Sequence, residues 1–172
     1  KRLSLKMNSF SSDSKKVKRY RRGVGVIILN KKRKIFIGQR FEKDKAAWQM
    51  PQGGIDRGEK AIEAAKREMQ EETGIKKNFR VMHESHDWHY YDLPMHLQKK
   101  LWRGRYVGQK QRWYVIDFYG SDNEINIKTK RPEFQTWRWS TKNEILKLIV
   151  PFKSKLYKSV FKEFDNILGS IE

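Results

Sequence analysis

Gly53-Gly54-Ile55-Asp56-Arg57-Gly58-Glu59 is followed, seven residues later, by Arg67-Glu68-Met69-Gln70-Glu71-Glu72-Thr73-Gly74-Ile75, and this stretch decides the fold. Residues 60 to 73 contain no Gly or Pro and are rich in Ala, Glu, Lys, Gln and Met, all good helix formers. Gly74 stops the helix. At 100° per residue, Ala61, Ala65, Glu68 and Glu72 fall on one narrow stripe, with Ala64 and Glu71 beside it. Small side chains come first, so another piece of backbone can approach closely; carboxylates come next. Ile62 and Met69 flank the stripe and anchor the helix to a core, whereas Glu63, Lys66 and Gln70 point to solvent.

Stability alone does not explain this placement. Like charges at i,i+3 and i,i+4 destabilise an isolated helix by a few tenths of a kcal/mol. These lie toward the C-terminal half, where the helix dipole disfavours anions. Clustered hard oxygens on one helix face are what Mg²⁺ uses to bridge a protein to phosphates. For Glu68, Glu71 and Glu72 taken alone, a solvated acidic face remains the other reading.

Around this helix the pattern is α+β. Val26 to Leu29 and Lys34 to Ile37 read as two strands joined by Asn30-Lys31-Lys32-Arg33 as a hairpin. Phe41 to Asp56 reads as a loop. Beyond the helix, residues 79 to 83, 112 to 119 and 134 to 139 read as strands, and 84 to 110 as a long functional loop with a short strand inside it. Thr141 and Glu144 stand at capping-box spacing for a further helix. Phe152, Leu156, Val160, Phe164 and Leu168 then lay one apolar stripe on a last helix. The expected organisation is a basic tail over 1–19 and a single domain over 20–168, a mixed sheet packed between helices.

Composition narrows the partners. Among 172 residues, Lys and Arg number 39 against 20 Asp and Glu, a formal +19. Such a field draws polyanions to the surface. There is no Cys, which excludes disulfides, thiolate metal sites and a thiol nucleophile, and suits a reducing, cytoplasmic setting. No apolar run approaches the roughly 20 residues that span a bilayer. His83, His86 and His89 share no face in a strand or a helix, so a surface or structural role is expected of them rather than zinc. Gly23-Val24-Gly25 precedes a strand rather than joining strand to helix, which excludes a dinucleotide-binding turn.

The full pattern, Gly53-x5-Glu59-x7-Arg67-Glu68-Met69-x-Glu71-Glu72-x-Gly74-Ile75, resembles the Nudix box at every specified position. Average residue usage produces it at a given register on the order of once in a billion. The resemblance implies the Nudix fold, an α/β/α sandwich on a mixed sheet in which a loop-helix-loop holds metals. It implies Mg²⁺-dependent hydrolysis of a nucleoside diphosphate linked to another group, with Mn²⁺ able to substitute. Glu68 and Glu72 are then metal ligands, Glu71 a further ligand or base, and the Gly53 carbonyl a metal contact. Glu59 and Arg67 fix the loop.

From about Tyr20 to Phe164 the chain is also similar to bacterial RNA pyrophosphohydrolases, which double as dinucleoside polyphosphate hydrolases. The marks are Tyr20-Arg21-x-x-Val24-Gly25, Trp48-Gln49-x-Pro51-Gln52-Gly53-Gly54-Ile55, Gly108-Gln109-Lys110-Gln111-x-Trp113, Pro132-Glu133-Phe134-x-x-Trp137-Arg138-Trp139 and Val150-x-Phe152-Lys153-x-x-x-Tyr157. This likeness implies that Glu133 is a remote metal ligand. It makes Arg21, Arg40, Gln52, Gln109 and Lys153 donors to phosphates, with Tyr91 also at the substrate. Val150 and Phe152 become the two faces of a clamp on the first base. Phe152 also fits the core stripe, and Lys153 a solvated cation. The substrate implied is a 5′-triphosphate RNA end, trimmed to a monophosphate that promotes decay. A dinucleoside polyphosphate substrate, or a non-catalytic RNA-binding protein on the same fold, are the alternatives.

Overall fold

The computed structural model describes residues 18–41 and 47–169. The box helix is α1 (Ala61–Thr73), and Gly74 ends it with φ 74°, its N–H bonded to the Gln70 carbonyl at 2.9 Å. That left-handed turn suits a residue without a Cβ. Ala64, Ala65 and Met69 are buried against Val24, Val26, Ile28, Tyr114, Ile116 and Phe118, while Ile62 packs at the edge of the same cluster.

The sheet has eight strands: β1 (Tyr20–Leu29), β2 (Ile35–Arg40), β3 (Trp48–Gln49), β4 (Gln52–Gly54), β5 (Phe79–Glu84), β6 (His89–Asp92), β7 (Gly108–Phe118) and β8 (Phe134–Ser140). β1 lies parallel to β7 over its whole length, from Tyr20 opposite Gly108 to Leu29 opposite Asp117. The other pairings are antiparallel, so the sheet is mixed. The unbroken buried run Val24–Leu29 follows from cover on both faces. α1 covers one. On the other, α4 (Ser154–Glu163) sets Leu156, Tyr157, Val160 and Phe161 against Ile27, Leu29, Trp113 and Val115. The result is the expected α/β/α sandwich. Thr141 caps α3 (Lys142–Leu148), its hydroxyl accepting the Glu144 N–H at 3.2 Å.

Three expectations change. β1 starts at Tyr20 and β7 at Gly108, because a ladder is built from backbone groups and extends through polar side chains. The loop expected over 41–56 contains β3 and β4, and the one over 84–110 contains β6, a short helix α2 (Met95–Gln98) and a 3₁₀ turn at Leu101–Gly104. The last helix is segmented. A 3₁₀ turn at Pro151–Lys153 precedes α4, and α5 (Asp165–Leu168) follows it. Phe152 therefore sits on the turn before the helix. Of the tail expected over 1–19, residues 1–17 lie outside the described residues.

Candidate active site

α1 and β4 meet edge to edge. A Cβ built on Gly53 would stand 1.9 Å from Glu68 Cδ and 2.1 and 2.4 Å from its two oxygens. Glycine at this strand position is therefore what admits the Glu68 carboxylate. One turn on, Glu72 is 6% exposed and its Oε2 accepts the Gln52 backbone N–H at 3.2 Å.

Arg67 ties the loop before α1 to the helix. Its guanidinium donates to Glu59 Oε2 and Oε1 at 2.9 Å each, to the Gly54 carbonyl at 2.9 Å and to Glu68 Oε1 at 2.8 Å. Glu59 in turn accepts the Asp56 N–H at 3.0 Å. The Arg67 hydrogen bonds hold the Glu59 carboxyl down at about 2. Glu71, by contrast, is exposed, with one oxygen 3.4 Å from Arg67.

Burial, first, raises the pKa of Glu68, which Glu71 and Glu133 raise further against the opposing pull of Arg67. Burial pushes Glu72 well up, reinforced by the charges of Glu68 and Glu133. Glu133, just before β8, is thus electrostatically part of the acidic group although remote in sequence. Its Oε1 lies 3.6 Å from Arg40 Nε. Among the described residues, no three His, Asp or Glu side chains stand together as a ready-made metal cage. Glu68 is turned to Arg67 and Glu133 to Arg40.

On the opposite sheet face, the polar donors converge. Lys153 is 4% exposed, far from a solvated cation, and its Nζ lies 3.2 Å from both Gln49 Oε1 and Gln52 Oε1. Gln111 Nε2 donates to Gln52 Oε1 at 3.1 Å and to Gln109 Oε1 at 2.6 Å. The Tyr91 hydroxyl donates to Gln109 Oε1 at 3.4 Å, and burial raises its pKa to about 12. Lys153 Nζ lies 5.3 Å from the Tyr91 ring centroid. Phe152 is half-buried, its ring tilted 42° to Tyr91 with centroids 6.1 Å apart. Val150, also half-buried, begins the same turn. Arg21 packs over Gly54, where a Cβ would fall 2.1 Å from its Nη2, and over the Trp102 ring at 5.2 Å. The Gly53 carbonyl lies on the Gly23 side, 2.7 Å from where a Gly23 Cβ would stand.

Gln52 joins the two groups, its backbone N–H on Glu72 and its side-chain oxygen on Lys153. Sequence reasoning missed Gln49, Gln111 and Trp102. The available signal for Gln111 was the period-2 alternation Gln109, Gln111, Trp113 along β7, which puts all three on one face. The histidines separate as their spacing suggested. His83 and His86 are exposed, while His89 is buried between Ser159 Oγ at 2.7 Å and Glu163 Oε1 at 3.0 Å, tying β6 to α4. No helix among the described residues is long and apolar enough to cross a membrane.

Residues 19–160 match the NUDIX domain family. An RNA pyrophosphohydrolase of Rickettsia canadensis is 52% identical over 149 residues, spanning 87% of this chain and 92% of that protein. One from Rickettsia bellii is 51% identical over the same shares. Among solved structures, the Escherichia coli dihydroneopterin triphosphate pyrophosphohydrolase superposes with a TM-score of 0.64 at 17% identity, covering 88% of this chain and 98% of that one. A Caenorhabditis elegans Ap4A hydrolase gives 0.62 at 17% identity, covering 86% and 99%. At that identity the structures speak for the fold alone. The sequence matches span most of the chain on both sides, and the chain belongs to the NUDIX domain family.

Proposed function

We propose that this protein is an RNA pyrophosphohydrolase, a cytoplasmic enzyme that converts a 5′-triphosphate RNA end to a 5′-monophosphate and so promotes decay, with residues 20–168 acting as one catalytic unit. The observation that carries this reading is Gln52, which is bonded at once to an acidic group suited to a metal and a cationic group suited to phosphates. The relatives at half identity are RNA pyrophosphohydrolases, which favours an RNA end over a dinucleoside polyphosphate.

The acidic group fits a hard divalent cation such as Mg²⁺, or Mn²⁺ in its place. Its donors are all carboxylates, their mutual charge and burial disfavour ionisation, and Gly53 leaves room where a side chain would close the space. Glu68, Glu72 and Glu133 would hold it, with the Gly53 carbonyl as a further oxygen, which leaves Glu71 for the base. Such an ion supplies charge neutralisation at the phosphates and acidifies bound water.

The chain's own groups do the rest. Arg21, Arg40, Lys153, Gln52 and Gln109 grip non-bridging phosphate oxygens, planar or cationic donors being suited to them. Phe152 and Val150 clamp the first base beside Tyr91, with little demand on its identity. Arg67 and Glu59 hold the loop so that Glu68 keeps its place. Glu71, exposed to solvent, takes the proton of the attacking water. The water oxygen bonds to phosphorus, the phosphoanhydride bond breaks, and pyrophosphate leaves with the bonding electrons.

The test is direct competition of triphosphate RNA against diadenosine tetraphosphate, comparing kcat/KM. The expected result is pyrophosphate release from RNA with the higher kcat/KM. Faster cleavage of the dinucleotide overturns the substrate, and turnover of neither returns the chain to the non-catalytic reading.

A further inference from the structure

Directly behind the phosphate donors, the same two strands carry a second group of cations that the reaction does not use. β1 and β7 alternate, so Arg21 and Gln109 face the donors while Arg22, Lys110 and Arg112 face the other way. Arg22 is paired with Lys110 and Val24 with Arg112. These positions continue the face on which Val24 and Tyr114 are buried in the core, but here the side chains are cationic. All three surround one indole. Arg112 Cζ lies 4.9 Å, Lys110 Nζ 5.0 Å and Arg22 Cζ 5.7 Å from the Trp88 ring centroid. Tyr90, opposite Lys110 in the sheet, is 50% exposed and meets Tyr20 edge-on at 5.0 Å.

Ion pairing does not explain the cluster. Among the described residues, Arg22, Lys110 and Arg112 make no ion pair with a carboxylate. Arg112 is anchored by donating to the Ser85 and His86 carbonyls. The indole offsets only part of the repulsion among three like charges gathered on its surface. What remains is a positive patch built around the half-buried Trp88 and flanked by the exposed Tyr90 ring, and cations beside an open aromatic ring are the combination that tracks a single-stranded backbone and stacks its bases. The patch also borders the active site, since the Arg22 carbonyl accepts the Ile55 N–H of the box loop at 3.1 Å.

We infer that Arg22, Lys110, Trp88 and Tyr90 form a second RNA subsite, which holds the single strand several nucleotides downstream of the 5′ end. This rests on the RNA reading proposed above. Arg22 and Lys110 contact phosphates, Tyr90 receives a base, and Trp88 holds the cations in place. The 5′ end is read in the donor group on one face, and the body of the chain is retained on the other.

The test uses the full chain carrying Arg22→Gln with Lys110→Gln, and separately Tyr90→Ala. Each single-strand phosphate contact contributes about 0.7 to the slope of log affinity against log salt, so the double variant should flatten that slope by about 1.4. On a long 5′-triphosphate RNA it should lose about five- to tenfold in kcat/KM at low salt. A 5′-triphosphate dinucleotide, too short to reach the patch, should be cut as before. Tyr90→Ala should weaken binding of the long RNA by about fivefold or more without changing the slope, since stacking releases no counterions. An unchanged slope in the double variant, or equal losses on long and short substrates, overturns the subsite. Binding of 5′-hydroxyl RNA is measured in parallel, where no hydrolysis is involved. If triphosphate RNA is never cut yet the double variant still flattens that slope, the subsite stands and the proposed reaction falls.

Discussion

Gly53→Ala tests whether the close approach of β4 to α1 exists to seat Glu68. The backbone at Gly53 is an ordinary extended strand paired with Val24, so alanine imposes no conformational strain. The added methyl, however, would stand 1.9 Å from Glu68 Cδ, and ordinary contact begins at 3.4 Å. Glu68 must therefore retreat by about 1.5 Å, from 1.9 to 3.4 Å. The displaced atoms are the end of a flexible side chain, so the fold should yield cheaply and Tm should move little. Catalysis should not yield. A misplacement of about 1 Å in a reacting constellation costs on the order of 10²-fold, so kcat on triphosphate RNA should fall by at least that much. Steady-state release of pyrophosphate and a thermal melt read the two effects side by side. Adding Gly53→Ala to Glu68→Ala should then cost nothing further, because the group it displaces is gone. A Gly53→Ala enzyme with more than half the normal kcat refutes the reasoning.

If Glu133 completes the acidic group, Glu133→Ala should slow hydrolysis far more than it weakens RNA binding; equal losses would assign it to holding Arg40 instead. Trp102→Ala should lower kcat/KM about two- to fivefold by releasing Arg21, the scale of an exposed cation–π contact, and should do nothing in an Arg21→Ala background. An additive double variant would separate Trp102 from Arg21. The Glu59 carboxyl is lowered by Arg67 from 4.5 to about 2. The stability it contributes is therefore full above about pH 4.5 and is lost as pH falls toward 2. Melts of Glu59→Gln and the unaltered chain should converge across that window, and a constant Tm difference would contradict the assignment.

The box helix was legible because its meaning lies in spacing, and spacing fixes which residues share a face. The same held for the Leu156, Val160, Phe164 stripe. Lys153 was harder. Lys is among the residues least often buried, and only its contacts with Gln49 and Gln52 separate a buried donor from a solvated one. Gln49 carries no charge and stands on a strand of two residues, too short for a pattern, whereas the alternation Gln109, Gln111, Trp113 does place Gln111 on the Trp113 face. Trp102 sits at φ 50° beside Arg103 at φ 57° and Gly104 at φ 69°. Such a left-handed turn has no periodicity and leaves no pattern to find. The grouping of Glu133 with α1 depends on β8 pairing with β2, a long-range contact that local reasoning does not reach.

α1 carries a cost that its packing must offset. It has no basic residue in its last turn and no side-chain cap at its start, and Glu72 is buried beside Glu68 and within the field of Glu133. Burying a carboxylate among like charges is unfavourable. Ala64, Ala65 and Met69 supply the apolar contacts that hold the helix regardless. If these carboxylates are kept for catalysis rather than stability, removing one charge should separate the two properties. Glu72→Gln keeps an oxygen to accept the Gln52 N–H and lifts the repulsion, so without divalent metal its Tm should equal or exceed that of the unaltered chain. Its kcat with Mg²⁺ should fall by at least about 10³-fold, comparable with losing one major electrostatic stabiliser. Mg²⁺ binding to the native state should also raise the Tm of the unaltered chain, and Glu72→Gln should blunt that rise. A variant that melts earlier in metal-free buffer and still turns over near normally would mean that Glu72 serves the fold, and the carboxylate face of α1 would lose its catalytic explanation.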